Sequence, residues 1–349
     1  MEKEISKPRE LYADLLRIVA AFLVVFQHTA TSAWYTTKVE TFNWFVLHFY
    51  NSLSRAGVGI FFMISGAFLL SSKKEYSVKK ILTHNASRLF IILFFWVCIY
   101  GFINTFFKNF SLENLLQIPL FFFTKPPTHL WFLYVLLGLY LLVPLVRIFT
   151  ANASEKIIKY ALFLFFIFGL TLPTLFQSLK IFYGITIYKN LNIAETSTFL
   201  GFFLTGFFIS TFSVSAKVKK RIYAFGILSW LISLLLSAYV SYSKGIPHEY
   251  FLGNFRPTTY LTATAFFLFF HEYFKNKILK NTYLKILSDA TLGIYLIHPI
   301  FIKIFYALKF HLFSSTPIIT VPACAVLFFT LSFLSVLLLK KLKIFNRFI

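Results

Sequence analysis

Ten apolar segments follow one another along this chain, and each is close to the length of a membrane-spanning helix. They cover residues 11–31, 44–70, 88–107, 130–149, 157–176, 197–213, 221–241, 257–273, 288–308 and 317–339. A helix needs about 20 apolar residues to cross the hydrocarbon core. Backbone polar groups must be satisfied within lipid, so these segments are expected to be helical. The pattern predicts an all-α polytopic membrane helix bundle of about ten transmembrane helices.

The composition agrees with a membrane protein. Of the 349 residues, 58% are hydrophobic and 13% are charged, and the mean hydropathy is +0.75. A soluble domain has about 25% charged residues. We expect one transmembrane domain over residues 1–349. The first segment is expected to stay in place as a span, because no convincing signal-peptide cleavage site follows it.

The basic residues alternate between the two sides of the predicted bundle. The N-terminal tail, the even-numbered loops and the C-terminal tail carry 23 Lys and Arg residues, whereas the odd-numbered loops carry 8. The positive-inside rule therefore places both termini in the cytoplasm. This distribution explains most of the net charge of +22 by topology and attraction to membrane lipid, and no nucleic-acid partner is expected. The short apolar stretch at 115–123 is interpreted as re-entrant or interfacial.

The first segment, "ELYADLLRIVAAFLVVFQHTATSAWY", carries three polar residues that lipid disfavours. A charge at the bilayer centre costs about 2.5–3.5 kcal/mol on insertion scales. Asp14 and Arg17 are three residues apart, so they share a helix face and can pair. His28 follows Arg17 by eleven residues, which is about 1100° of rotation and a rise of about 16 Å. The three residues therefore predict one polar stripe facing protein or water. Alternatively, Arg17 snorkels to the interface and His28 lies among outer headgroups.

The second segment contains "SRAGVGIFFMISGAFLL". Arg55 lies about eleven residues from its outer end, too deep to snorkel easily, and so needs an anionic partner or ligand. Gly59 and Gly66 lie seven residues apart on one face. They are expected to let another helix approach closely.

Further histidines lie in the fourth and ninth segments. His129 and Trp131 stand at the outer mouth of "PPTHLWFLYVLLGLYLLVPLVR", where an interfacial anchoring role is the alternative to a functional one. His298 lies halfway through the segment that contains "LGIYLIHPIF". Pro299 removes a backbone donor and frees the carbonyl near Tyr295, as occurs where a helix lines a cavity. A plain interfacial role is expected for His48, His84, His248, His271 and His311.

Four stretches of the chain together resemble the acyltransferase-3 family of integral membrane acyltransferases. The family has an Arg and a His separated by ten residues on its first span, and here "RIVAAFLVVFQH" runs from Arg17 to His28. Its second-span motif FF-x-x-SG is present as "FFMISG". "HLWFLYVLLGLYLLVPL" and "GIYLIHPIF" are similar to later family segments. The resemblance covers nearly the whole chain, with the motifs in order.

The resemblance implies O-acylation, usually acetylation, of cell-surface carbohydrate by an acyl-CoA donor on the cytoplasmic side of a bacterial inner membrane. It also implies that Arg17 and His28 are essential. Many O-antigen acetylases carry Arg-x-x-Arg before the third span, but "NASR" retains only Arg88. The chain is therefore expected to be similar to shorter single-domain members, either enterobacterial common antigen O-acetyltransferase or O-acyltransferases of the polysaccharide-intercellular-adhesin type, without a fused extracytoplasmic hydrolase domain.

Acyl transfer to a hydroxyl needs a general base, a group that stabilises the oxyanion and a group that binds the acyl donor. We expect His28 to be the general base, with a covalent acyl-His intermediate left open, Arg17 to bind the donor and Asp14 to orient Arg17. No permanently bound cofactor and no metal are expected; acetyl-CoA is the donor substrate. The acceptor is expected to be a surface glycan or lipid-linked saccharide. Candidate substrate-binding residues are Arg88, for the phosphates of CoA, and Arg55, His129 and His298, for acceptor binding or oxyanion stabilisation.

A transporter or flippase for a glycan or small anion is the alternative function. Ten spans, charges within the bundle and a proline-interrupted ninth span fit such a protein too. The two halves of the chain show no obvious repeated motif, which weakens this alternative. A purely structural partner in a polysaccharide synthase complex is a third interpretation, and it leaves Asp14, Arg17 and His28 unexplained.

Overall fold

The computed structural model describes residues 9–71, 77–108, 111–187, 198–308, 316–342, 345 and 347–349. These residues form helices and their connections, and apart from one isolated antiparallel bridge between Glu10 and Ile278 they contain no β-structure. The all-α prediction is confirmed. His311 and residue 197 of the sixth segment lie outside the described ranges. So do seven of the basic residues counted above, namely Lys3, Lys7, Lys73, Lys74, Lys189, Lys309 and Lys343.

Fourteen α-helices of four or more residues are described. In chain order they are α1 Leu11–Trp34, α2 Phe42–Ser54, α3 Ala56–Leu69, α4 Ser87–Lys108, α5 Leu112–Leu116, α6 Phe121–Thr124, α7 Trp131–Asn152, α8 Glu155–Leu164, α9 Leu172–Tyr183, α10 Thr198–Thr211, α11 Ala216–Lys244, α12 Pro257–Phe274, α13 Thr282–Ala307 and α14 Pro317–Lys341. A single turn at Val78–Lys80 and a π-helical stretch at Ile81–Ala86 lead into α4. A second π-helical stretch at Phe165–Thr171 joins α8 to α9.

Eight helices or continuous helical runs among the described residues are long and apolar enough to cross a membrane. They do not include α10, which has 14 residues, or α12. The chain is thus a multi-pass helical protein, while the count of ten and the cytoplasmic termini stay predictions. The stretch at 115–123 forms short helical pieces instead of a span, as its length predicts.

The chain divides into two compact units. The first comprises Met1–Leu69 and Ala153–Leu334, and the second comprises Leu70–Asn152 and Ser335–Ile349. Within the first unit, α1 packs against α2, α3, α12 and α13. Within the second, α4 packs against α5, α6 and α7. Two packing units can belong to one functional domain, so the single-domain expectation stays a prediction.

Two glycines let α3 and α10 touch through their backbones. A Cβ built on Gly66 would lie 1.9 Å from the carbonyl oxygen of Phe203, and one built on Gly206 would lie 1.8 Å from that of Met63. No larger residue fits either position without moving a helix. The predicted close approach at Gly66 is confirmed. This contact fixes α3, whose first residue directly follows Arg55.

The second predicted span is interrupted at Arg55. Helix α2 ends at Ser54 and α3 begins at Ala56. Thr41 caps the start of α2, because its hydroxyl accepts a hydrogen bond from Trp44 N at 3.2 Å. Arg55 lies at the junction of the two helices and keeps helical dihedral angles, so residues 42–69 still form one run of membrane length.

Candidate active site

Helix α1 carries all three polar residues of the first span. It is continuous from Leu11 to Trp34, so His28 lies about 16 Å along the axis from Arg17. Asp14 Oδ1 accepts a hydrogen bond from Arg17 Nη1 at 3.0 Å. The predicted pair is confirmed. The polar residues therefore form two groups, one near each end of α1.

The carboxylate of Asp14 is a buried centre of hydrogen bonds. Its Oδ1 accepts from Arg17, from Ser288 Oγ at 2.6 Å and from Arg9 Nη2, and its Oδ2 accepts from Arg9 Nε at 3.0 Å. Arg9 also donates to Asp289 Oδ1 at 2.6 Å. The hydrogen bond to Asp14 raises the pKa of Arg9 above its ordinary value. With its acceptor positions filled, Asp14 is suited to orienting Arg17 and not to touching a substrate.

Arg17 keeps free hydrogen-bonding capacity. Its side chain is 31% exposed, and its guanidinium lies 5.3 Å from the ring centroid of Phe68. Among the described residues, only Nη1 has a hydrogen-bond partner, which is Asp14. An anion approaching this end of α1 would therefore meet unused N–H groups on a guanidinium that is already held in place.

Near the other end of α1, His28 faces His298 of α13. Nδ1 of His28 lies 2.7 Å from Nε2 of His298. The ring planes differ by 10° and the centroids are 5.0 Å apart. For two imidazoles whose nitrogens are 2.7 Å apart, a centroid separation of 5.0 Å is the largest that the ring size allows. Both nitrogens must therefore lie on the line that joins the two centroids, and the rings are nearly coplanar. The two imidazoles thus share an in-plane hydrogen bond and are not stacked face to face.

His298 is fully buried and also contacts its own helix. Its Nδ1 lies 3.1 Å from the carbonyl oxygen of Ile294. Helix α13 continues through Pro299 to Ala307. The ring bonds the carbonyl oxygen of Ile294, which is not the carbonyl near Tyr295 that Pro299 was predicted to free.

Helices α1 and α13 run in the same direction. Asp14 contacts Ser288 near the start of both helices, and His28 contacts His298 further along both. This agrees with the direction predicted for the first and ninth spans. Two polar contacts therefore set the alignment of the helices that carry the site.

Arg55 has the anionic partner that its depth requires. Its Nη2 donates to Glu249 Oε2 at 3.4 Å, and its Nε donates to Asn51 Oδ1 at 2.9 Å. The hydroxyl of Tyr35 donates to the same Glu249 oxygen at 2.6 Å. The Arg55 side chain is 9% exposed, whereas that of Glu249 is 52% exposed. Burial and Glu249 together raise the pKa of Tyr35 above its ordinary value, so its hydroxyl stays a donor.

Arg55 lies within electrostatic range of His28. His28 is half-buried, and its Nε2 has no hydrogen-bond partner among the described residues. The structure thus brings an imidazole nitrogen without a partner in the described part of the chain within electrostatic range of a buried guanidinium. Such a pair can take a proton from a hydroxyl and stabilise negative charge that develops on a neighbouring oxygen.

Several residues of this site were missed in the sequence. Glu249, Tyr35 and Asn51 surround Arg55, while Arg9 and Ser288 bind Asp14. Glu249 carried a usable signal, because it is one of only 12 acidic residues in the chain and Arg55 needed a counter-charge. Asn51 and Ser288 carried none, since neutral polar residues are common in membrane helices.

Two predicted residues belong to the second unit. Arg88 is exposed near the start of α4, with Nη2 3.5 Å from the carbonyl oxygen of Ile349. His129 precedes α7, and its ring lies 4.4 Å from that of the buried Tyr100. The roles proposed for Arg88 and His129 stay predictions.

His48 departs from its expected interfacial role. It is fully buried in α2, its Nε2 lies 3.0 Å from the carbonyl oxygen of Leu234, and its ring lies 4.6 Å from that of Trp44. The interfacial prediction for His48 is therefore wrong, because neighbouring helices cover this turn of α2.

Among the described residues, no group of three or more His, Cys, Asp or Glu side chains could hold a metal ion.

Comparisons with known proteins identify one match. A family model described as an acyltransferase domain matches residues 10–337. The match includes both ends of the polar stripe on α1 and the histidine of α13. No curated protein and no solved structure matches the chain.

Proposed function

Since the chain belongs to the acyltransferase-3 family, we propose that it moves an acyl group, acetyl in the first instance, from acyl-CoA to a hydroxyl of a surface glycan or lipid-linked saccharide. The observation that carries this proposal is the half-buried His28, whose Nε2 has no partner among the described residues, within electrostatic range of the buried Arg55. Acyl transfer needs a proton acceptor and a cation at one place, and these two residues supply them.

The proposed reaction is a direct transfer. His28 Nε2 takes the proton of the acceptor hydroxyl as its oxygen attacks the thioester carbonyl carbon. Arg55 stabilises the resulting oxyanion. The C–S bond then breaks, and the thiolate receives the proton from His28. The products are an acylated hydroxyl and free CoA, and His28 returns to its starting state.

Arg17 suits the proposed role in donor binding. Its unused N–H groups can bind an anionic part of acyl-CoA, while Asp14 and Phe68 hold the guanidinium. If both termini are cytoplasmic, Arg17 lies near the donor side. The thin arm of the donor would then extend about 16 Å along α1 and bring its thioester to His28.

The residues around Arg55 suit a hydroxyl-rich acceptor. Glu249 and Tyr35 are both about half exposed and lie with Arg55 at the C-terminal end of α1. A carboxylate and a phenol can exchange hydrogen bonds with sugar hydroxyls. In the predicted topology this end faces outward from a bacterial cytoplasmic membrane, which supports an acceptor at or beyond the outer leaflet.

The proposal is tested by following label from acetyl-CoA. Membranes containing the chain are incubated with acetyl-labelled acetyl-CoA and a membrane glycan fraction, and membranes without the chain serve as the control. Chain-dependent incorporation of base-labile label into glycan supports the enzyme. Glycan translocation that needs no acyl donor and leaves no label would favour the transporter alternative. Parallel reactions with succinyl-CoA distinguish the acyl groups.

A further inference from the structure

We propose that His298 is a positioning residue that fixes the tautomer of His28, so that the Nε2 of His28 carries the reactive lone pair. The inference rests on the proposed function, in which His28 is the base. It replaces the substrate-binding role that the sequence suggested for His298. Two successive hydrogen bonds connect a backbone carbonyl to the reactive imidazole.

The first hydrogen bond fixes the tautomer of His298. The carbonyl oxygen of Ile294 lies 3.1 Å from Nδ1 of His298. A carbonyl oxygen can only accept, so Nδ1 must carry the hydrogen. In a neutral imidazole the other nitrogen then has the lone pair. Nε2 of His298 is therefore an acceptor.

The second hydrogen bond then determines the tautomer of His28. Nδ1 of His28 points at Nε2 of His298 from 2.7 Å. Two lone pairs at that distance would repel, so Nδ1 of His28 must be the donor. The hydrogen of the neutral His28 is then on Nδ1, and Nε2 has the lone pair. Nε2 is also the nitrogen that has no partner among the described residues.

The packing of α13 makes this arrangement rigid. His298 is fully buried, and α13 is aligned with α1 by the hydrogen bond from Ser288 to Asp14. The His28 ring cannot turn over without losing its in-plane contact. A histidine whose second nitrogen is held in this way has both its tautomer and its ring orientation set by the partner.

The same contact helps His28 through the proposed reaction. When Nε2 takes the proton of the acceptor hydroxyl, His28 becomes an imidazolium. Its Nδ1–H bond to the neutral His298 then becomes charge-assisted and stronger. When the thiolate leaves, Nε2 returns the proton and the neutral pair is restored. His298 itself gains and loses no proton.

Two substitutions at position 298 distinguish the loss of the hydrogen-bond acceptor from a change in side-chain volume. In His298→Gln, the side-chain oxygen can accept from Nδ1 of His28 in place of the imidazole Nε2. In His298→Leu, a side chain of similar size offers no acceptor. We expect His298→Leu to lower kcat by about 100-fold or more, and His298→Gln by less than about 10-fold. The KM values for acyl-CoA and acceptor should change less than about twofold, since neither substrate touches His298.

The tautomer is read directly by nitrogen NMR of ¹⁵N-histidine-labelled protein in detergent. His28 is assigned by the signal that disappears in His28→Gln. The wild type and His298→Gln should show the hydrogen of His28 on Nδ1, and His298→Leu should show it on Nε2. A wild-type His28 with its hydrogen on Nε2 would overturn the inference, even if the leucine variant failed to fold.

Failure of this inference is distinguishable from failure of the proposed function. Equal kcat values for the folded His298→Leu and His298→Gln proteins would refute the positioning role and leave His28 as the base. An active His28→Gln protein would instead refute the base itself. Melting temperature and monodispersity in detergent show whether each variant is folded.

Discussion

Nδ1 of His28 lies 2.7 Å from Nε2 of His298, and the two residues are 270 positions apart in the chain. This contact joins the helix that carries the polar stripe to a proline-containing helix near the other end of the sequence. It explains why both helices carry an imidazole at this depth. It also leaves Nε2 of His28 with no hydrogen-bond partner among the residues that the structure describes.

Removing the guanidinium of Arg17 should weaken donor binding. We expect Arg17→Ala to raise the KM for acyl-CoA by about 10- to 100-fold, because a hydrogen bond to a charged group contributes about 1.5–3 kcal/mol. Arg17→Lys keeps the charge without the planar group, so its KM for acyl-CoA should lie between those of the wild type and Arg17→Ala. Initial rates at varied acyl-CoA concentration measure the effect. Arg221→Ala, at an exposed position on α11, is the control. An unchanged KM in Arg17→Ala would exclude the donor role.

Asp14→Asn should destabilise the fold and disturb Arg17. The substitution places an N–H₂ group against donors from Arg9, Arg17 or Ser288, all of which now point at carboxylate oxygens. We expect a loss of about 1–3 kcal/mol in stability, measured by thermal unfolding in detergent. Asp289→Asn is the matched control, since the exposed Arg9–Asp289 pair should contribute less than about 1 kcal/mol. Equal melting temperatures for the two variants would contradict the buried-centre role of Asp14.

Glu249 should matter for transfer because it neutralises Arg55. Glu249→Ala leaves a guanidinium of 9% exposure without its counter-charge, and we expect kcat to fall by about 10-fold or more. Tyr35→Phe removes one hydrogen bond to the Glu249 carboxylate and keeps the ion pair, so its loss of kcat should be smaller than that of Glu249→Ala. The acetyl-transfer assay measures both. A larger loss of kcat in Tyr35→Phe than in Glu249→Ala would show that the function of Arg55 does not depend on its ion pair with Glu249.

The α3–α10 crossing should tolerate no added methyl group. Gly66→Ala and Gly206→Ala would each place a Cβ within 2 Å of a backbone carbonyl oxygen. We expect each to cost about 1–3 kcal/mol or more, and to reduce the yield of folded protein. Gly138→Ala is the matched control, because a Cβ there meets nothing within 4 Å. Thermal unfolding in detergent compares the three, and equal stability of all of them would contradict the close crossing.

Much of the fold could be predicted from local sequence. Apolar segments of membrane length predict helices because lipid leaves the backbone no other partner. Helical spacing likewise predicted the Asp14–Arg17 pair and the packing of Gly66. The break between α2 and α3 at Arg55 could not be predicted, since the apolar pattern runs through it and the ion pair of Arg55 with Glu249 is a tertiary contact.

The site was predicted only in part, because its contacts join distant positions. His28 and His298 were both candidates, but no local pattern shows that they face each other. The partner of Arg55 lies 194 residues away, in the connection after α11. Burial of His48 also depends on neighbouring helices, which explains why its position near a span end was misleading.

The most direct test of the account compares His28→Gln with His84→Gln. His84 is an exposed histidine of the second unit and has no role in the proposed reaction. Both variants are purified in equal amounts, and initial rates of acetyl transfer from acetyl-CoA to membrane glycan are measured. The account predicts a loss of about 100-fold or more in His28→Gln and an unchanged rate in His84→Gln. Full activity of a folded His28→Gln protein would contradict it.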